Sequence, residues 1–215
     1  GRFVEVYDEL GKNGDSVISI QMMRSISGTV DAARQAADIT ETNVTVVDSD
    51  FTSRSMGMIV KEAAKAAQEG KTVEEILEIV EDAKKRTTLY LTVVNLDNLI
   101  KGGRISQLMG MFSNLLNIKL FLQVINGKIE IIQKGRGLKS LQKKYDEIFE
   151  QMKAAPNGIQ EIGIMHAGLS DFNEGNMARV RELFPDVPLT IVTTSPIIMS
   201  HTGVDAMAIT YLENK

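Results

Sequence analysis

The chain has 215 residues, 43% hydrophobic and 24% charged, with a formal net charge of −4, the make-up of an ordinary globular protein of one large or two small domains. No cluster of Lys and Arg is dense enough to suggest a nucleic-acid partner. Cysteine is absent, which excludes disulfides, thiolate catalysis and zinc–thiolate sites and suits a cytoplasmic location; no apolar run approaches the ~20 residues of a membrane span.

Phe3, Val6, Tyr7 and Leu10 fall at helical spacing, so the sequence opens on a helix over residues 2–11 and reads as a fragment that begins inside a domain. A Gly/Asn/Asp turn (GKNGD) leads to an apolar strand over 16–22. Ser25-Ile26-Ser27-Gly28-Thr29 then turns directly into a small-residue helix over 29–38. NVTVVDS (43–49) is a short buried strand. Helices follow over about 54–69 and 73–85. Thr72 and Glu75 have capping-box spacing, and Val73, Ile76, Leu77 and Val80 form one apolar stripe. Strand–helix–strand alternation predicts a parallel α/β sheet with helices on its faces.

The pattern changes near residue 87. TTLYLTVV is a strand, LDNLI a short helix ending at KGGR, and Ile105, Leu108, Met109, Phe112 and Leu115 make an amphipathic helix. IKLFLQVINGKIEIIQK reads as a hairpin whose Asn126-Gly127 pair favours a type I′ turn. A long helix over 138–154, a strand over 160–166, a helix over 170–184, a strand over 188–194 and a last strand near 206–213 follow. A hairpin combined with crossovers implies a mixed sheet. The expected organisation is therefore a parallel α/β first domain over 1–86, lacking its N-terminal part, and an α+β mixed-sheet domain over 87–215.

Several stretches carry polar chemistry. The Ser27-Gly28-Thr29 turn, at a strand-to-helix junction, offers hydroxyls, free amides and a helix dipole to an anion; capping of the helix by Ser27 or Thr29 is the competing reading. Lys101-Gly102-Gly103-Arg104 lacks Walker-loop spacing and reads as a helix C-cap. Ser200-His201-Thr202-Gly203 is a polar break between two apolar runs, read as a loop between strands, and is balanced between a structural and a binding role. His166 closes the 160–166 strand, where it caps that strand's edge. Two histidines without cysteine or HExxH spacing do not make a metal site. Asp48 and Asp50 follow a strand, where α/β folds place ligand residues, and also suit the N-cap of the next helix. No nucleophile–base pair or carboxylate couple stands out, so no catalytic residue is assigned.

Taken in order, SxSGT after a strand, VxDS after the next, LxxLxKGGRIS, LLNIK leading into a hairpin, Lys134-Gly135-Arg136 at the hairpin's exit and a terminal SHTG resemble the DegV family of bacterial fatty acid-binding proteins. The resemblance covers essentially the whole chain. It implies a two-domain α/β protein enclosing one long-chain fatty acid, such as palmitate, stearate or oleate, between the domains. It also implies a carrier rather than an enzyme, one that presents the carboxylate to a separate fatty acid kinase. No cofactor, no metal, no nucleic acid and at most transient membrane contact are expected. By the same resemblance Ser27 hydrogen-bonds the carboxylate together with Gly28 and Thr29, His201 and Thr202 lie beside the head group, and Arg136 lies near the pocket mouth. The family's strand with a DS(T) turn, and its TSQPS-like segment with a head-group threonine, have no counterpart in these 215 residues. HTGVDA (201–206) stands where the family often has HTGPGA. Left open are an enzyme acting on a small phosphorylated or carboxylated metabolite at the same residues, and a lipid-sensing regulatory module. Arg104 is open between a surface role and contact with a partner's negative charge.

Overall fold

Helices α1 (Arg2–Gly11) and α2 (Thr29–Ala37) pack on a two-stranded sheet of β1 (Val17–Gln21) and β2 (Val44–Asp48) in the computed structural model, which describes residues 1–103 and 118–215. The strands are parallel, Val17 opposite Val44 and Gln21 opposite Asp48, as strand–helix–strand alternation predicts. Of the α1 stripe only Tyr7 is buried, donating to or accepting from Ser19 Oγ at 2.7 Å, while Val6 and Leu10 are exposed. Helices α3 (Ser53–Gln68) and α4 (Val73–Arg86) follow. The capping box is formed in full: Thr72 N donates to Glu75 Oε2 at 2.8 Å and Glu75 N to Thr72 Oγ1 at 3.3 Å.

A separate six-stranded mixed sheet holds β3 (Thr87–Val93), β4 (Ile118–Ile125), β5 (Lys128–Arg136), β6 (Ile159–His166), β7 (Leu189–Thr193) and β8 (Met207–Glu213), ordered β5-β4-β3-β8-β6-β7. Asn126 (φ 49°) and Gly127 (φ 69°) both take the positive φ that a type I′ turn needs. Helix α5 (Asp97–Gly102) follows β3, α6 (Leu138–Lys153) follows the hairpin, α7 (Asp171–Leu183) makes the parallel crossover from β6 to β7, and α8 (Pro196–Thr202) joins β7 to β8. Ser170 caps α7 by accepting from Asn173 N at 3.4 Å. The amphipathic helix expected through Ile105 and Leu115, and Arg104 before it, lie outside the described residues.

The chain divides into two compact units, residues 1–85 with 126–128 and residues 86–125 with 129–215. In the second, strand alternation sends Phe121, Ile164, Met207 and Ile209 to one face, where they bury against Tyr145, Ile148 and Phe149 of α6 and Val180 of α7. Thr92 Oγ1 donates to Met207 O and receives the Tyr145 hydroxyl, each at 2.9 Å. Burial pushes the Tyr145 phenol well above the usual tyrosine range, so it stays a donor. The opposite face carries Val93, Leu120 and Leu122 with Leu99 of α5 and its N-cap residue Leu96. No helix among the described residues is long and apolar enough to cross a membrane.

Candidate functional site

The register that sets Gln21 against Asp48 brings the C-terminal ends of β1 and β2 side by side. Their loops are laced together: Met23 N donates to Phe51 O at 2.7 Å and Ser49 N to Gln21 O at 3.0 Å. Ligand residues of open parallel sheets stand at this end. Ser27 Oγ accepts from Thr29 N at 3.2 Å and lies 2.6 Å from Thr29 Oγ1. The N-cap of α2 is Gly28, with no side-chain cap bond. Ser27 therefore closes the turn onto the first helical residue instead of capping the amides beyond it, and these keep no intrahelical acceptor. Arg24, unmarked in the sequence reading, pairs with Asp31 of the first helical turn at 3.0 Å. The seven-residue offset between them shows only once the turn is folded.

Asp48 and Asp50 cap no helix. The N-cap of α3 is Thr52. Asp48 instead staples the two loops, accepting from Arg24 N at 3.2 Å and Asp50 N at 2.9 Å. Asp50 takes a left-handed φ of 59° and is held by Lys84 of α4 at 2.8 Å; Glu81 meets the same ammonium at 2.9 Å. Burial acts to lower the Lys84 pKa, but hydrogen bonds and charge from Asp50 and Glu81 outweigh it and the net shift is upward. A raised folded value means the stabilisation is complete below the ordinary lysine range and is lost as pH rises through the folded value. Lys84→Met is expected to lower the melting temperature at neutral pH, with the gap to wild type closing in strongly alkaline buffer. A gap that stays constant with pH would show that the ammonium does not tether this loop.

In the second unit β3, β5, β6 and β7 run one way and β4 and β8 the other. One end of the sheet therefore carries α5, Arg136, His166 and α8. His201 does not lie in a loop between strands. Strand β7 stops at Thr193, and Ser195, extended at φ −67° and ψ 151°, starts a helix with Pro196 in its first turn. His201 is on the last turn of that helix, half-buried, its Nδ1 buried without a hydrogen-bond partner among the described residues. Thr202 is buried and donates its hydroxyl to Ile198 O at 3.1 Å, so that proton is committed inside the helix. Arg136 is exposed at the end of β5, the outermost strand, just before Gly137 at φ 83°. His166 closes no edge: it sits buried on an inner strand between β8 and β7. Gly103 is the left-handed C-cap of α5, at φ 67°, as the double glycine predicts. Ser27, Gly28 and Thr29 are thus adjacent in the first unit, and His201 and Thr202 in the second, with Arg136 at the His201 end of its sheet. Among the described residues no group of three or more His, Asp and Glu side chains could hold a metal ion.

The family model described as "Uncharacterised protein, DegV family" matches residues 1–214. The chain belongs to the DegV family. A DegV domain-containing protein of Streptococcus pneumoniae is 41% identical over 209 residues, 97% of this chain and 74% of that protein. The crystal structure of DegV, a fatty acid binding protein from Bacillus subtilis, superposes with a TM-score of 0.87 at 27% identity, covering 100% of this chain and 76% of that one. The Streptococcus pneumoniae fatty acid kinase B3 protein, loaded with linoleic acid, superposes with a TM-score of 0.79 at 25% identity, covering 98% and 76%. The solved DegV structures share this mixed α/β fold; in this chain the SGT stretch lies at the strand-to-helix junction that opens α2, and SHTG at the helix-to-strand junction between α8 and β8.

Proposed function

We propose that this chain binds one long-chain fatty acid, with the carboxylate held by the Ser27–Thr29 turn and His201, and presents that carboxylate to a separate fatty acid kinase. The observation that carries the reading is the likeness to the Bacillus subtilis fatty acid binding protein at a TM-score of 0.87 over the whole chain. The likeness to the Streptococcus pneumoniae fatty acid kinase B3 protein supports the kinase partner in this reading. Chemistry supports both. About ten sequestered methylenes contribute on the order of 8 kcal/mol before ordering costs, and the aliphatic sheet face of Val93, Leu120 and Leu122 is of the kind such a tail needs. A buried carboxylate must be hydrogen-bonded; the Ser27 and Thr29 hydroxyls, the first amides of α2 and the His201 imidazole are suitable donors. The Arg136 guanidinium adds positive charge at the same end of the larger sheet.

Native mass spectrometry of the purified protein tests the ligand. The expected spectrum contains a complex heavier by one palmitate-, stearate- or oleate-sized acid. A protein that carries and accepts no such acid, but binds short polar carboxylates or phosphates, overturns the reading. The partner is tested by incubating the loaded protein with ATP, with and without a bacterial fatty acid kinase: acyl phosphate is expected only in the mixture.

A further inference from the structure

The KGG and SHTG stretches are nearly a hundred residues apart in sequence, yet they meet in the second unit. A Cβ built on Gly102 would fall well inside contact distance of His201 Nδ1. Gly102 is the last residue of α5 and has no left-handed φ, so its own backbone does not require glycine; the imidazole does. On the same side of α5, Asn98 Nδ2 donates to Ser200 O at 3.0 Å, fixing the carbonyl just before His201. A Cβ on Gly203, just beyond α8, would in turn stand 3.6 Å from the Asn98 side chain. Thus α5 holds α8 by a hydrogen bond and an absent side chain, both directed at the residues around one ring.

The ring's orientation follows. Nδ1 is buried against Gly102 with no hydrogen-bond partner among the described residues, while the residue stays partly exposed. Nε2, across the ring, is the nitrogen left to meet a ligand. A proton on Nδ1 would be a buried donor without an acceptor; the neutral ring therefore carries its proton on Nε2. We propose that Gly102 and Asn98 are positioning residues that present His201 Nε2–H outward as a single-sided donor to an oxygen anion. Resting on the fatty acid reading, that anion is the acyl carboxylate. Gly102 acts by leaving room and Asn98 by anchoring the helix; neither touches the ligand.

The test is a double-mutant cycle read by oleate affinity and by nitrogen-15 NMR of the histidine rings. Gly102→Ala should weaken oleate binding about 10-fold or more, the scale of a lost hydrogen bond to a charged group. In a His201→Ala background the same change should cost nothing further, because no ring remains to be displaced. Asn98→Asp, which keeps the shape and removes the donor, should also weaken binding, again only when His201 is present. It serves as the second variant should Gly102→Ala fail to fold. In the free wild-type protein His201 should show the Nε2–H tautomer, and its ring signals should shift in both variants. Equal losses of affinity with and without His201 would overturn the proposal, since the variants would then act through the fold alone; so would a wild-type ring protonated on Nδ1. If wild type binds no oleate but the ring shows the expected tautomer and shifts, the fatty acid reading fails and the positioning of His201 stands.

Discussion

Replacing Phe121 by Ala is expected to lower the unfolding free energy by about 3–5 kcal/mol, the range for deleting a buried aromatic ring. Phe121 is fully buried on β4. Its ring lies edge-on to Tyr145 at 4.9 Å and to Tyr90 at 6.1 Å between centroids, a geometry that adds about 0.5–1.5 kcal/mol per pair beyond burial. The effect reaches further, because Tyr145 anchors α6 to the sheet through its hydroxyl on Thr92. Loss of the ring frees Tyr145 to shift and strains a hydrogen bond with no water to replace it. Phe121→Leu keeps most of the volume and should cost less than about 1.5 kcal/mol. Denaturant titrations of the two variants give the comparison. Strand alternation points Phe121 away from Leu120 and Leu122, so the aliphatic face proposed for the tail should survive, and folded Phe121→Ala should still bind oleate. Similar small losses for Ala and Leu would show that the site collapses around the missing ring.

What the sequence made legible was what local chemistry decides. Thr72 with Glu75, Asn126 with Gly127, and Gly103 after a short apolar helix each encode a turn or cap within four residues, and each is formed. The central strand β8 reads as an apolar run because both its faces are buried. The misreadings share a cause, which is that distance in sequence hides the partner. SPIIM continues an apolar run and so looks like strand, although Pro196 after Ser195 is a helix-start signal in its own right. Asp48 looks like a cap until β1 and β2 pair and bring Arg24 N to it. Gly102 reads as half of a double-glycine C-cap, yet the left-handed position is Gly103, and what a Cβ on Gly102 would meet is the His201 ring on another helix. The candidate binding residues were marked by family resemblance more than by spacing: a serine near a helix start and a histidine between apolar runs are each ordinary by themselves.

Ser27→Ala is expected to weaken binding of a long-chain fatty acid by about 1–3 kcal/mol, which is roughly 5–150-fold in dissociation constant. The hydroxyl has two uses in the free protein: it accepts from Thr29 N at 3.2 Å and lies 2.6 Å from Thr29 Oγ1. Either hydroxyl of that pair can be the donor; with Thr29 Oγ1–H donating, Ser27 keeps its own proton, which in the proposed reading goes to a carboxylate oxygen. The Thr29 hydroxyl then acts behind Ser27, and Thr29→Ala should cost less than Ser27→Ala. If Ser27 only shapes the turn, removing it frays the start of α2 and harms every ligand alike. The two roles separate with a matched pair of ligands, oleic acid and oleyl alcohol. The tails are identical, so their apolar contribution cancels in the comparison. The alcohol carries no charge and makes a weaker neutral hydrogen bond. Ser27→Ala should therefore weaken the acid strongly and the alcohol little, while the thermal stability of the unliganded protein falls by only the worth of one turn hydrogen bond, about 1 kcal/mol. Equal losses for acid and alcohol would assign Ser27 to the turn and take the carboxylate away from it.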